Sequence, residues 1–508
     1  PWMAVAAALL LALLALPFLR RNESAPEQRL AALAPRTARV QQARLSGDFA
    51  WAPWRGPMRA TTSAPHPQRL QLAGAAGDLV ARAQCEKTGA AQHDAGVALI
   101  LIAEPLAAIT RLEDAAARDA ANARAWSDLA AAQYDAAMKL GRPSLYAEAL
   151  GNADHALRID PRFPPALFNH ALILEQLGLT QQARAAWQRY LEIDATSPWA
   201  VEAREHLARL PAVTGESLFK RDLPRLERAA ATNDVARVEE LAKQYRQQTR
   251  VFGEAEHLGL WGEAYLKGDS AEATRLLSIA RATGSALSRI NDEWLLHDAV
   301  VAIDAANDAS RSQFAEAHRI YRRGRIAYNR QQLGAAEPDL RDAAKRFANS
   351  PMSLVARYYA ANVRYDRNDV DGAERELDTL LAEVDAHPRY VALGAQVRWQ
   401  LALCRMLRDD WAGALPRVAE AADRFRRLDE RSNLGFVQTL LADTLLCLGR
   451  VDESWAVRIE SFRVQSEAGH DNRVPISLGG AARMELRAGR LDSARALLQI
   501  ESAADRAI

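Results

Sequence analysis

The chain has 508 residues, with 65 lysines and arginines against 64 aspartates and glutamates, and only three cysteines, Cys85, Cys404 and Cys447. This length exceeds one compact core, so several domains or an extended repeat array are expected. The balanced charge without a long basic run argues against a nucleic-acid partner, and the separated cysteines form no zinc or redox motif.

The opening stretch, PWMAVAAALLLALLALPFL, carries no charge, and Arg20 and Arg21 follow at once. At ~1.5 Å per residue a helix of this length nearly spans the ~30 Å apolar core of a bilayer. We therefore predict a transmembrane or signal-anchor helix over residues 1–21. A cleaved signal peptide is the alternative. The abundance of alanine and arginine indicates a GC-rich bacterial genome, so the predicted localisation is the bacterial inner membrane, single-pass, with the side of the remaining chain left open.

Residues 22–72 are rich in proline, glycine, serine and aromatic side chains and have neither a helical nor a strand period. Such a composition predicts a linker. Phe49, Trp51 and Trp54 alternate with small residues in this linker. Two interpretations stay open for them: they pack on the helices that follow, or they contact a partner.

Helical repeats begin at about residue 73, and the clearest unit reads PALFNHALILEQLGLTQQARAAWQRYLEID. Gly178 ends its first helix, Ala183 opens the close crossing of the second, and Trp187 and Tyr190 follow at helical spacing. Ala149 precedes Ala183 by one period of ~34 residues. This spacing resembles the tetratricopeptide repeat, which implies an all-α, right-handed superhelical solenoid of helical hairpins.

The second half of the chain repeats a turn-and-helix pattern at a longer period of about 40 residues. The turns and the small residues that follow them are Asn368 with Ala373, Asp409 with Ala414, Gly449 with Ser454, and Gly489 with Ala494. We therefore predict a first repeat array over residues 73–210, an irregular helical join over 211–255 after Pro211, and a second, longer-period array over 256–508.

Sequence signatures of catalysis are missing. There is no phosphate-binding glycine loop, no HExxH, no GxSxG and no EF-hand loop. Cys404 and Cys447 lie in apolar helical stretches and are expected in the core. We predict no catalytic, metal or cofactor site, and therefore a protein that is not an enzyme.

In tetratricopeptide arrays the first helix of each pair lines a concave groove, and its side chains that face away from the second helix are available to ligands. The matching positions here are Ser127, Asp128, Phe168, Asn169, Leu172 and Gln176. Asn169 and Gln176 would bond a peptide backbone, and Phe168 would add an apolar contact. The alternative is that these side chains only face water.

The lysine and asparagine set with which chaperone-binding arrays hold a terminal carboxylate is not matched, since His93 and Val97 occupy two of its positions. Binding of chaperone tails is therefore disfavoured.

The order of parts carries a further resemblance. An apolar helix is followed by RLSGDFAWAP, then by LAGAAGDL, and then by the repeat that contains ALFNHALILEQLGLTQQARAAWQRYLEID. This order resembles bacterial proteins with tetratricopeptide repeats ahead of a caspase-like CHAT peptidase domain, most strongly over residues 44–210. In that family an anti-sigma-type zinc-binding domain often precedes the membrane segment, and the peptidase follows the repeats. Neither is present in this chain.

We therefore predict a membrane-tethered scaffold that binds a protein or peptide in its groove, contacts the membrane through residues 1–19 and has no nucleic-acid partner. The resemblance implies the sensor or regulatory part of a larger CHAT-type protein. Two alternatives stay open: the non-enzymatic part of a cysteine peptidase whose catalytic domain lies beyond residue 508, and a free-standing scaffold for a bacterial envelope or signalling assembly.

Overall fold

The computed structural model describes residues 26–36, 38–47, 49–54, 56, 67–211, 216–468 and 474–505. Within these ranges the secondary structure is helical, apart from one isolated parallel bridge between Arg39 and Trp54. The prediction of an all-α chain is confirmed. The chain divides into two compact units: unit 1 comprises Pro1–Pro211 and Leu478–Ile508, and unit 2 comprises Ala212–Ser477.

Unit 1 is built mainly from helices that pair with their neighbours across short turns. They are α1 (Pro26–Leu33), α2 (Pro67–Glu86), α3 (Gly89–Leu101), α4 (Pro105–Arg118), α5 (Ala123–Leu140), α6 (Leu145–Ile159), α7 (Pro164–Gln176), α8 (Thr180–Ile193) and α9 (Pro198–Arg209). Helices α3 with α4, α5 with α6 and α7 with α8 form the hairpins. The predicted linker thus contains α1 and the start of α2.

Unit 2 follows the same principle with longer helices. It contains α10 (Glu216–Ala231), α11 (Val235–Gln244), α12 (Arg246–Phe252), a π-helical turn (Gly253–His257), α13 (Leu258–Leu266), α14 (Ser270–Asn291), α15 (Leu295–Asp304), α16 (Asp308–Asn329), α17 (Leu333–Phe347), α18 (Met352–Asp366), α19 (Val370–Asp385), α20 (Val391–Met406), α21 (Trp411–Leu428), α22 (Arg431–Cys447) and α23 (Val451–Ala468). Two more helices are α24 (Val474–Arg487), which begins in unit 2, and α25 (Leu491–Asp505), which lies in unit 1.

Three turns of unit 2 share one construction. A residue with positive φ ends one helix, and the aspartate after it caps the next helix by accepting the N–H three residues ahead. The positive-φ residues are Gly268, Asn368 and Asp409, and the capping residues are Asp269, Asp369 and Asp410, with capping distances of 3.1, 3.0 and 2.9 Å. Glycine, asparagine and aspartate tolerate this backbone region, which is why these residues recur at the turns.

The core of unit 1 between α7, α8 and α9 is aromatic. Phe168 makes edge-to-face contacts with Trp187, Tyr190 and Trp199 at ring-centroid distances of 5.0, 5.4 and 5.1 Å. Such pairs contribute about 0.5–1.5 kcal/mol each beyond the burial of their area. These four rings hold the three helices in a fixed arrangement.

Helix α25 packs against α6, although the whole of unit 2 lies between them in the sequence. A Cβ atom added at Gly151 would lie 2.6 Å from the main-chain nitrogen of Ser493. Arg158 and Asp492 add an ion pair of 2.8 Å at this contact. Unit 1 is therefore assembled from two distant stretches of sequence.

The predicted membrane localisation is contradicted. Over the ranges that the structure describes, no helix is both long and apolar enough to cross a membrane. The apolar helix α3, for example, has 13 residues, about 20 Å at ~1.5 Å per residue, against the ~30 Å of a bilayer core. The predicted helix over residues 1–21 lies outside the described residues.

Candidate functional site

The six predicted groove residues lie on two neighbouring helices of unit 1. Ser127 and Asp128 are on α5, and Phe168, Asn169, Leu172 and Gln176 are on α7. The structure buries the first five and leaves Gln176 half-buried. Asp128 and Asn169 hydrogen-bond to a distant part of the same chain, whereas Phe168 belongs to the aromatic core.

That distant part is residues 38–47, which we call the cis segment. It is neither helix nor strand and lies against α5, α7, α8 and α9. Asn169 bonds both main-chain groups of Arg44: its Oδ1 accepts the N–H at 2.8 Å, and its Nδ2 donates to the C=O at 2.9 Å. One side-chain amide thus pairs with both main-chain groups of a single residue, whatever that residue's side chain is.

Asp128 holds the cis segment two residues further on. Its Oδ1 accepts the N–H of Ser46 at 2.8 Å, and its Oδ2 accepts the Ser46 hydroxyl. The Nε2 atom of His93 lies 2.8 Å from the same Oδ2. Burial alone lowers the pKa of His93, but hydrogen bonds to Asp128 and Asp94 and the charge of Asp128 raise it to about 9. His93 is therefore a cation at neutral pH and balances the buried carboxylate.

Arg44 projects its side chain toward α8. Its Nη1 donates to the Tyr190 hydroxyl at 2.7 Å and to Asp194 at 3.1 Å, and its guanidinium carbon lies 5.3 Å from the Trp199 ring centroid. Partial burial raises the pKa of Asp194, but hydrogen bonds from Ser197, Tyr190 and Arg44 outweigh it and lower that pKa to about 2. The acceptor for Arg44 thus stays ionised well into the acid range.

Arg39 forms the second cationic contact of the cis segment. Its guanidinium donates two hydrogen bonds to the Glu202 carboxylate and lies 4.6 Å from the Trp199 ring centroid. It also donates to three main-chain carbonyls of its own region, including that of Ala52 at 2.6 Å. Trp51 donates from Nε1 to Glu202 at 3.0 Å. Arg39 therefore both shapes the segment and fixes it to α9.

A further contact comes from the interior of α5. The buried hydroxyl of Tyr134 donates to Oε1 of Gln42 at 2.7 Å. We use the name binding surface for the side chains that contact the cis segment, together with His93, which supports one of them. They are His93, Arg124, Asp128, Tyr134, Asn169, Tyr190, Asp194, Trp199 and Glu202.

The predicted groove residues Asp128 and Asn169 contact the cis segment, but the prediction did not include the acidic and aromatic part of the binding surface. Trp199 and Glu202 lie beyond the repeat unit from which groove positions were taken, and Asp194 is the last residue of that unit. The sequence signal that could have indicated these contacts is charge. Two arginines lie close together in the cis segment, Asp194 directly follows α8, and Glu202 lies within α9.

Two of the three cysteines were predicted to lie in the core. Cys404 is buried, as expected, and burial raises the pKa of its thiol to about 12, so it is protonated at neutral pH. Cys447 was expected in the core and is exposed, because it is the last residue of α22. In the part of the chain that the structure describes, no group of three or more His, Cys, Asp or Glu could hold a metal ion.

No protein-family model and no curated protein matches this chain. Among solved structures it is similar to yeast Tom70, at 16% identity over 82% of this chain and 92% of that chain, with a TM-score of 0.29. It is also similar to the TPR domain of P58(IPK), at 14% identity over 79% of this chain and 99% of that one, with a TM-score of 0.24. Scores this low do not establish a shared three-dimensional arrangement.

Proposed function

We propose that unit 1 is a protein-interaction module that binds an extended peptide segment of a partner on the binding surface. The observation that carries this proposal is the pair of hydrogen bonds between the Asn169 amide and the main chain of Arg44. Main-chain pairing supplies affinity for any extended chain, and the side-chain contacts around it supply specificity.

The buried polar groups of the binding surface support the same function. Asp128, Asn169 and Tyr134 are almost fully buried, and each bonds the cis segment. A contact that served only to stabilise the fold would be as well made by apolar side chains, because a buried charge carries a large desolvation cost. Retaining polar groups here favours recognition of a peptide backbone.

The test uses the full chain with Arg39→Ala and Arg44→Ala, which loosens the cis segment and leaves the binding surface intact. A phage-displayed library of random dodecapeptides is selected against this variant. The selection should enrich peptides whose binding is lost when Asn169→Ala is added and kept when Asn152→Ala is added instead. Asn152 is a matched control, because it bonds Gln133 and does not contact the cis segment. Failure to enrich any peptide, or enrichment that survives Asn169→Ala, would refute the proposal.

We further propose that this module is the regulatory part of a CHAT-type protein. What supports this is the order of sequence parts over residues 44–210, and the cis segment overlaps the RLSGDF portion of that order. The free-standing scaffold is the alternative. Intact mass and end sequencing of the native polypeptide distinguish the two. A mass above the 55.8 kDa of this chain, with His- and Cys-containing sequence after Ile508, is expected. A natural end at Ile508 would favour the free-standing scaffold instead.

A further inference from the structure

The cis segment contacts the binding surface in the way that a bound peptide would. Its partners lie far away in sequence: Ser46 to Asp128 spans 82 residues, and Arg39 to Glu202 spans 163. Arg39 contacts α9, Gln42 contacts α5, Arg44 contacts α7 and α8, and Ser46 contacts α5. One short non-helical stretch therefore contacts four helices through both its main chain and its side chains.

We propose that the cis segment is an intramolecular ligand, and that the partner which displaces it is an extended segment with two arginines and a serine at the spacing of Arg39, Arg44 and Ser46. This inference rests on the proposed function and names the partner chemistry of the same site. The side chains of the cis segment thus indicate which side chains the binding surface prefers in a partner.

The two arginine positions follow from the acceptors opposite them. The Glu202 carboxylate receives two hydrogen bonds from Arg39, and Tyr190 and Asp194 receive Nη1 of Arg44. The Trp199 ring lies within 5.3 Å of both guanidinium carbons. A planar guanidinium can donate a fork of hydrogen bonds and stack on an aromatic face, whereas a lysine ammonium offers one point charge.

The serine position follows from Asp128. Ser46 is buried, and Asp128 accepts both its N–H and its hydroxyl. Arg124 also contacts this hydroxyl, since its Nε donates to Ser46 Oγ at 3.4 Å. An alanine at this position would leave the buried Asp128 carboxylate without one of its donors. The binding surface therefore prefers serine to alanine.

The effect of the cis segment on the affinity for a competing peptide can be calculated. A tethered ligand acts at an effective concentration on the order of millimolar. If the cis segment has an intrinsic dissociation constant on the order of 1 μM, any competing peptide would bind the closed chain about 1,000-fold more weakly than an open one. Loosening the cis segment should therefore strengthen binding in trans by at least about tenfold.

The probe is a fluorescent synthetic peptide with the sequence of residues 38–56, and binding is followed by anisotropy. The full chain with Arg39→Ala and Arg44→Ala should bind it at least about tenfold more tightly than the unchanged chain. Against that open variant, peptides with lysine at either arginine position, or with alanine at the serine position, should bind at least about tenfold more weakly. Circular dichroism of the variant confirms that the helices persist.

Equal binding of the peptide by the open variant and the unchanged chain would overturn the intramolecular ligand. Equal binding of the unchanged peptide and of the peptides with lysine or alanine would overturn the partner chemistry. Dimers that form through exchange of cis segments at high concentration would contradict a partner in trans, and analytical ultracentrifugation detects them. The random-library selection decides the proposed function separately, because peptides without arginine count as binders there.

Discussion

Replacing Asn169 with alanine removes two hydrogen bonds from the main chain of Arg44 and leaves the other contacts of the cis segment unchanged. Each such bond contributes about 1 kcal/mol net, so the segment should lose about 2 kcal/mol of its binding free energy. At ~1.4 kcal/mol per tenfold, the released state becomes about 30-fold more populated.

Trypsin measures that population, because it cleaves the bond after Arg44 only when the cis segment has left the binding surface. When opening and closing are fast relative to cleavage, the cleavage rate follows the open fraction. Mass spectrometry of the product that begins at Leu45 should therefore show about 30-fold faster cleavage in Asn169→Ala. Asn152→Ala is the control, since it loses a 2.7 Å bond to Gln133 elsewhere in unit 1. Equal cleavage rates in wild type and Asn169→Ala, or equal acceleration by the control, would refute the reasoning.

Three further predictions concern stability. Because the pKa of His93 is raised from 6.5 to about 9, its contribution is full below pH 6.5 and is lost as the pH rises toward 9. His93→Gln should abolish this alkaline decline in the urea midpoint of unit 1. The pKa of His318 is lowered from 6.5 to about 3 by burial, so its contribution is present above pH 6.5 and is lost as the pH falls toward 3. His318→Phe should make unit 2 less acid-sensitive, and an unchanged acid midpoint would contradict this. Gly96→Ala places a Cβ 2.5 Å from Cγ of Leu112 and should cost about 1–3 kcal/mol, whereas Gly77→Ala, which meets nothing within 4 Å, should stabilise by about 0.5–1 kcal/mol. Thermal unfolding that shifts both glycine variants in one direction would refute the packing argument.

The helical repeats could be predicted because their signals are local. Asn368, Asp409 and Gly449 take positive φ at the turns, and these residue types are the ones that adopt that backbone region at low cost. The alternation of turn and apolar helix recurs within about 40 residues, so the whole repeat pattern can be recognised in a single sequence.

The binding surface could be predicted only in part, because its contacts are long-range. Asn169 was identified from its place on the first helix of a repeat, but nothing near it in sequence indicates a bond to Arg44. Phe168 stands beside it and belongs to the core instead, since Trp187 and Trp199 enclose its ring. A helical position predicts which face a residue occupies, but not which distant chain covers that face.

The contact between α25 and α6 bears on how the protein is made. Repeat arrays in which each hairpin touches only its neighbours can fold as they leave the ribosome. Here Gly151 can contact Ser493 only after all of unit 2, Ala212–Ser477, has been synthesised. At ~5–20 residues per second this interval lasts on the order of 10–50 s. During that time the face of α6 that receives α25 is uncovered in the nascent chain, so a helix translated after unit 2 completes a unit whose earlier helices emerged long before.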